Sequence, residues 1–172
     1  MRRIFTLLAI SLSAVVLVTV LTGAAASASI SHSATNTNDD GGHTFSSALV
    51  PDLGQTVEPT IGGILPGGLP WVLDEGHVTL TKSGRLEASV DGLLFGPGAP
   101  PNLVGTTGPI TQVFASVVCA NGPVISTSAV TFSKDGDAHI NQQVALPAQC
   151  VGPIVLIRAA LDGEPWIAAS GL

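Results

Sequence analysis

Downstream of Trp71, apolar side chains recur at every second position, and that alternation excludes most folds. Val78 and Leu80 alternate with His77, Thr79 and Thr81, while Leu86, Ala88 and Val90 alternate with Arg85, Glu87, Ser89 and Asp91. Successive side chains of an extended chain point to opposite faces, so each run predicts a strand with one apolar and one wet face. Lys82-Ser83-Gly84 between them predicts a tight turn with glycine at positive φ. Further strands are expected over 112–119, 124–126, 129–133, 138–146, 154–161 and 166–169. They are separated by turn chemistry such as Gly96-Pro97-Gly98, Asn121-Gly122-Pro123, Asp135-Gly136 and Asp162-Gly163. Ile154-Val155-Leu156-Ile157 is apolar at every position, as in a strand packed on both faces. No stretch sustains a helical period.

The chain also resembles itself. Val78-Thr79-Leu80-Thr81-Lys82-Ser83-Gly84 recurs as Val130-Thr131-Phe132-Ser133-Lys134-Asp135-Gly136, each followed by another alternating run. Two such hairpins, each with an apolar face, must bury those faces on one another or on a shared layer. The expected fold is therefore all-β, an antiparallel β-sandwich or small barrel of about seven to eight strands. Cys119 and Cys150 are expected to pair as one intradomain disulfide. It would close a loop of about 30 residues and restrict the unfolded chain by roughly 3 to 4 kcal/mol in the loop-entropy account.

The N-terminus reads differently. Met1-Arg2-Arg3, an apolar run from Ile4 to Leu21 and Ala26-Ser27-Ala28 form the pattern of a secretory signal peptide, 1–28, with cleavage expected after Ala28. The alternative is an uncleaved anchor, which would leave the protein associated with the cell surface; once the signal is cut, no stable membrane insertion is expected. Residues 29–70 are expected to be a flexible or extended segment rich in Gly, Pro and Ser, with the all-β domain spanning 71–172. Within that segment 29–42 is polar and reads as a tether. From Thr44 to Pro70, recurrent Gly and Pro argue against a central strand, leaving a linker or an arm that lays Ile61, Ile64, Leu65 and Leu69 on the domain.

Charge narrows the partners. Without the signal, Lys82, Arg85, Lys134 and Arg158 face all twelve acidic residues, a balance that repels phosphate backbones, so no nucleic-acid partner is expected. Charged residues are 10% of the chain and apolar ones 45%, which suits a packed domain over a disordered one.

Catalytic motifs are harder to find. His77 and His139 lie on the wet phase of their strands, with Asp74, Glu75, Asp135 and Asp137 as nearby donors, but a metal site needs three or four convergent ligands. Asp135-Gly136-Asp137 and Asp39-Asp40-Gly41-Gly42 place oxygens beside glycines without the further spaced carboxylates of a calcium loop. Glu75, Glu87, Asp91 and Glu164 could supply a glycosidase pair, yet nothing in the sequence selects two of them. There is no G-x-S-x-G. No catalytic, cofactor-binding or metal residue is therefore assigned. Trp71 and Trp166, near the two ends of the domain, are expected to pack where the first and last strands meet.

Gly76 to Leu94, with its G-x-V-x-L, turn and L-x-A-x-V-x-G-L run, resembles the opening hairpin of the secreted CHRD-type β-sandwich domains. That family continues with a histidine motif of the A-H-I-H kind. Here Phe95-Gly96-Pro97-Gly98 follows, and the nearest echo is Ala138-His139-Ile140-Asn141. The resemblance carries no function across. The sequence thus leads to a secreted, extracellular, non-catalytic module with a binding or structural role and an unknown protein or envelope partner. One form of this is an inhibitor presenting 120–123 or 147–153 beside the cysteine bridge. The alternative is a small extracellular hydrolase or metal-dependent enzyme built on His77, His139 and nearby carboxylates.

Overall fold

Among the described residues eleven strands realise the alternation. They are β1 (His43–Pro51), β2 (Trp71–Val72), β3 (Glu75–Thr81), β4 (Arg85–Asp91), β5 (Leu94–Phe95), β6 (Gln112–Val118), β7 (Ile125–Ser126), β8 (Val130–Thr131), β9 (Ala138–Gln143), β10 (Ile154–Ala159) and β11 (Trp166–Ser170). The structure, a computed structural model, describes residues 43–54, 60–120 and 122–171, all within one compact unit, Asn38–Leu172. The expected signal peptide, 1–28, and the expected tether up to Gly42 lie outside the described residues. No helix occurs among the described residues.

Nine strands join in one antiparallel sheet, in the order β7-β6-β10-β11-β1-β3-β4-β9 with β8 also on β6, while β2 and β5 pair separately. The sheet curls into a half-barrel. Strand β1 shows how: its first part pairs with β3, as in Phe45↔Leu80 and Ala48↔His77, and its last part with β11, as in Leu49↔Ser170 and Pro51↔Ala168. A strand whose two edges are engaged at different heights shears the sheet, the condition for closing it on itself. One apolar cluster then fills the concave side, including Val78, Leu80, Leu86, Val113, Val117, Ile140, Val155 and Ile157.

Strand β1 corrects the expectation that no central strand lies between Thr44 and Pro70. The glycines and prolines of that stretch begin at Pro51, and His43–Val50 contains neither. Leu49 is buried and Phe45 packs on the core, while Ser46, Ala48 and Val50 are exposed. The alternation was present, but the small residues Ser and Ala mute it.

The expected arm exists in its second half. Ile61 and Ile64 close a tight turn with reciprocal main-chain bonds of 3.1 and 3.0 Å, and both are buried. They cover the convex side of β6, β10 and β11 in a second cluster with Val118, Leu156, Trp166 and Ala169. Trp166 donates its main-chain N–H to Leu65 O at 3.0 Å, and Gly67 donates to Trp166 O at 2.9 Å. Leu69 packs against the main core, whereas Leu65 is 64% exposed. This cover is why β10 is apolar on both faces: Val155 and Ile157 point into the half-barrel, Leu156 under the arm.

The internal repeat keeps its turn, but beyond the bond from Ser133 N–H to Asp137 O at 2.9 Å its second hairpin does not continue as a ladder. Gly84 N–H bonds Thr81 O at 3.0 Å and Gly136 N–H bonds Ser133 O at 3.1 Å, and both glycines hold positive φ. Yet β3 pairs with β4, whereas β8 pairs with β6 and β9 with β4. The second turn is drawn away by the β4–β5 corner, where Leu93 N–H bonds Gly136 O at 2.9 Å and Gly92 N–H bonds Asp137 Oδ1 at 3.0 Å.

The tryptophans are core residues, but not with each other. Trp71 lies in the main cluster, its ring centroid 4.0 Å from that of Phe95. Trp166 belongs to the convex cluster. Strand β2 pairs with β5 instead of with the last strand, which separates the two indoles.

Candidate binding site

Strands β3, β4 and β9 turn a wet face outward, because their apolar residues occupy the alternate positions that fill the concavity. Across that face His77 stands opposite Ser89, and Ser89 opposite His139. The next row is Thr79, Glu87 and Asn141, with Ser46 of β1 at its end. Glu87 Oε1 accepts from Asn141 Nδ2 and from Arg85 Nε, each at 3.1 Å, and Ser46 Oγ lies 3.1 Å from His77 Nε2. Both histidines are exposed, as their phase predicts.

The two rings share a face but not a centre. Two strand spacings separate their positions, about 10 Å, with Ser89 between. His77 borders one cleft with Leu73, Asp74 and Glu75, and His139 another with Asp91, Thr131 and Asp137. Among the described residues no three His, Cys, Asp or Glu side chains group so as to hold a metal ion. Asp135-Gly136-Asp137 is a turn in which Ser133 Oγ accepts the N–H groups of Asp135 and Asp137. Of the glycosidase candidates, Glu75 and Asp91 stand opposite each other on β3 and β4, and Glu164 lies in the other half of the sheet against Arg158.

Cys119 and Cys150 are joined, with Cα atoms 5.1 Å apart. The bond ties the end of β6 to the β9–β10 connection, and Ala120 N–H reaches Val151 O at 2.9 Å. It therefore gathers the two loops singled out in the sequence at one end of the half-barrel. Beside it a cavity of about 420 Å³ is lined by Lys82, Leu146, Pro147, Gln149, Cys150 and Val151, and Val151 is 59% exposed. A disulfide of this kind belongs to an oxidising, extracellular environment. No helix among the described residues is long and apolar enough to cross a membrane.

Two features escaped the sequence. Residues 96–111, between β5 and β6, contain no strand, yet the segment is ordered by its own bonds. Phe95 N–H bonds Thr106 O and Gly105 N–H bonds Phe95 O, both at 2.9 Å, while Leu103 N–H bonds Pro100 O at 2.8 Å. Thr106 Oγ1 donates to Leu103 O at 2.7 Å and accepts from Gly108 N–H at 3.1 Å. Buried Thr107 and Ile110 root the loop and leave Asn102 and Val104 exposed. The visible signal was Gly96-Pro97-Gly98 at its start, taken only as a break between strands.

The second is Arg158, the only buried basic side chain among the described residues. Its Nε donates to Glu164 O at 2.7 Å, Nη1 to Ser116 Oγ at 3.3 Å and Nη2 to Glu164 Oε2 at 3.2 Å. The guanidinium carbon sits 4.8 Å from the Phe114 ring centroid. Burial lowers its pKa from the ordinary arginine value, and the Glu164 carboxylate opposes that shift.

Compared with known protein families, curated proteins and solved structures, the chain matches none.

Proposed function

We propose that the chain is exported and acts, without catalysis, as a binding module at or beyond the cell envelope. The signal-like N-terminus supports export, as does the Cys119–Cys150 bond. The observation that carries the binding role is the loop 96–111. Loops this long without secondary structure are uncommon, and ordered ones are usually functional. Because internal bonds already hold it, presenting Asn102 and Val104 to a partner costs little further ordering. Of the finer fold readings we favour a small barrel over a sandwich, since the Gln142 amide bonds Ser128 across the gap between the sheet's two ends.

The test is retention of the exported protein on envelope fractions of its source, separated into wall polymer and protein extracts. Wild type is expected to sediment with one fraction, and Asn102→Ala with Val104→Asp to lose about tenfold in affinity, the scale of a modest interface hot spot, with unchanged circular dichroism. Absence of retention on every fraction contradicts the reading.

A second reading, a hydrolase or metal-dependent enzyme on His77 and His139, draws on their shared face with Ser89 between them. Turnover of a chromogenic ester, amide or glycoside that His77→Ala and His139→Ala both abolish would favour it over the first.

A further inference from the structure

Arg158 sits where a cation is costly to bury, and its carboxylate partner holds it loosely. The guanidinium lies on the convex side of β10, buried over the Phe114 ring, and a charge taken out of water is unfavourable unless close pairing offsets it. The Glu164 side chain is 58% exposed and reaches the guanidinium through one oxygen, at 3.2 Å. Three of the five guanidinium N–H groups carry the bonds to Glu164 and Ser116.

The backbone at that partner is strained as well. Glu164, which precedes Pro165, holds φ at 42° and is the only non-glycine residue at positive φ among the described residues. Residues with a side chain seldom take that conformation, and those that do gather at ligand sites and switches. Here it turns both the carbonyl and the carboxylate of Glu164 onto one guanidinium.

Next to the pair lies a cavity of about 260 Å³ lined by Phe114, Ser126, Thr127, Ala129, Ala160 and Glu164. Buried Ser116 accepts from Arg158 Nη1 at 3.3 Å, and its Oγ lies 2.8 Å from Ser126 Oγ. With the guanidinium donating to Ser116, the Ser116 hydroxyl can donate to Ser126, which leaves the Ser126 O–H to donate into the cavity. A cation and a hydroxyl thus flank the spot that the Glu164 carboxylate now takes. The two oxygens of a carboxylate suit those two donors, and the Phe114, Ala129 and Ala160 walls suit a small apolar group beside it. The volume falls just under the ordinary range of ligand pockets, so it takes the end of a chain and not a whole ligand.

We infer that this corner binds the terminal carboxylate of a peptide whose last residue is small and apolar, with the Glu164 side chain swinging into solvent to make way. The incoming carboxylate takes the Arg158 Nη2 bond from Glu164 Oε2 and adds one from the Ser126 O–H, both charge-assisted. Because the Glu164 carboxylate is already largely in water, releasing it costs little, and the bond from Arg158 Nε to Glu164 O keeps the turn in place. The site shares no residue with the 96–111 loop, so either can fail alone.

The test is a titration of the full exported chain, isotope-labelled, with acetyl-Ala-Ala at neutral pH, followed by the chemical shifts of the main-chain amides and of Arg158 Nε–H. Controls are acetyl-Ala-Ala amide and an amidated peptide with an internal glutamate, acetyl-Ala-Glu-Ala amide. Saturable shifts at Ser126, Thr127, Glu164 and Arg158 Nε–H are expected with the free carboxylate and with neither control. Glu164→Gln is expected to tighten binding several-fold, because the competing charge is gone. Ser126→Ala is expected to weaken it about tenfold, the worth of a hydrogen bond to a charged group. Both positions are exposed, and circular dichroism checks that both variants keep the fold. No saturable shift, equal shifts with either control, weaker binding by Glu164→Gln, or unchanged affinity in both variants overturns the inference.

Discussion

The buried carboxylate of Asp52 accepts the main-chain N–H of Gly68 at 3.2 Å from sixteen residues away, and so pins the arm to the end of β1. Its other oxygen accepts from Gly54 N–H at 2.7 Å. Its main chain donates to Ile167 O at 2.9 Å and accepts from Trp71 N–H at 2.7 Å. One residue thus joins β1, the arm, β2 and β11. Asp52→Ala is expected to cost about 1 to 3 kcal/mol, because it strands buried N–H groups. Asp52→Asn is expected to cost a similar amount, since an amide NH₂ would face donors. Urea unfolding measures both; a loss below the error of the midpoint contradicts this role.

Gly84 and Gly136 turn the two copies of the repeat, and each is fixed by a different neighbour. A Cβ at Gly84 would lie 2.1 Å from Val144 O, and one at Gly136 would lie 2.6 Å from Leu93 N. With φ of 91° and 87°, alanine at either is expected to destabilise by more than about 1 kcal/mol. Gly163, also at positive φ but with open space around it, should tolerate alanine better. Thermal unfolding of the three variants ranks them, and equal losses would contradict the contact argument.

These glycines also show what the sequence made legible. Alternation and turn residues placed eight of the strands, because each is a local signal of period and φ preference. The disulfide followed from two cysteines in a chain whose N-terminus reads as a secretory signal. What was hidden depends on long-range partners. Strand β1 was masked by Ser and Ala, whose outward placement only β3 and β11 reveal. The divergence of β8 from β9 depends on the corner at Gly92 and Leu93, which no local pattern encodes. His77 and His139 were assigned to the wet face from phase alone, but their separation by Ser89 required the register. Arg158 looked like an ordinary charge at the end of an apolar strand, and only the fold surrounds it with Phe114, Ser116 and Glu164.

Arg158 should matter more than its ion pair. The Glu164 carboxylate is 58% exposed, so the pair itself is screened and Glu164→Gln is expected to cost under about 1 kcal/mol. The bond from Nε to Glu164 O survives that change. Arg158→Ala removes it together with the Phe114 contact and leaves space beside Ser116, for an expected loss of about 2 to 4 kcal/mol. Denaturant midpoints of the two variants test the order, and a larger loss for Glu164→Gln would reverse it.

The inhibitor form of the binding role is open to a direct assay, because the disulfide and the bond from Ala120 N–H to Val151 O bring the chain after β6 beside the β9–β10 connection. If those loops face a protease, micromolar protein should slow one member of a panel of extracellular serine and cysteine proteases, and Val151→Asp should abolish the effect. A flat response across the panel removes this form and leaves the envelope module.

The intact mass of the protein collected outside the cell, taken before and after reduction, tests export and the disulfide together. A chain beginning at Ser29 that gains the mass of two hydrogens on reduction is expected, as one Cys119–Cys150 bond requires. A chain that keeps Met1, or one whose thiols are already free before reduction, would contradict it.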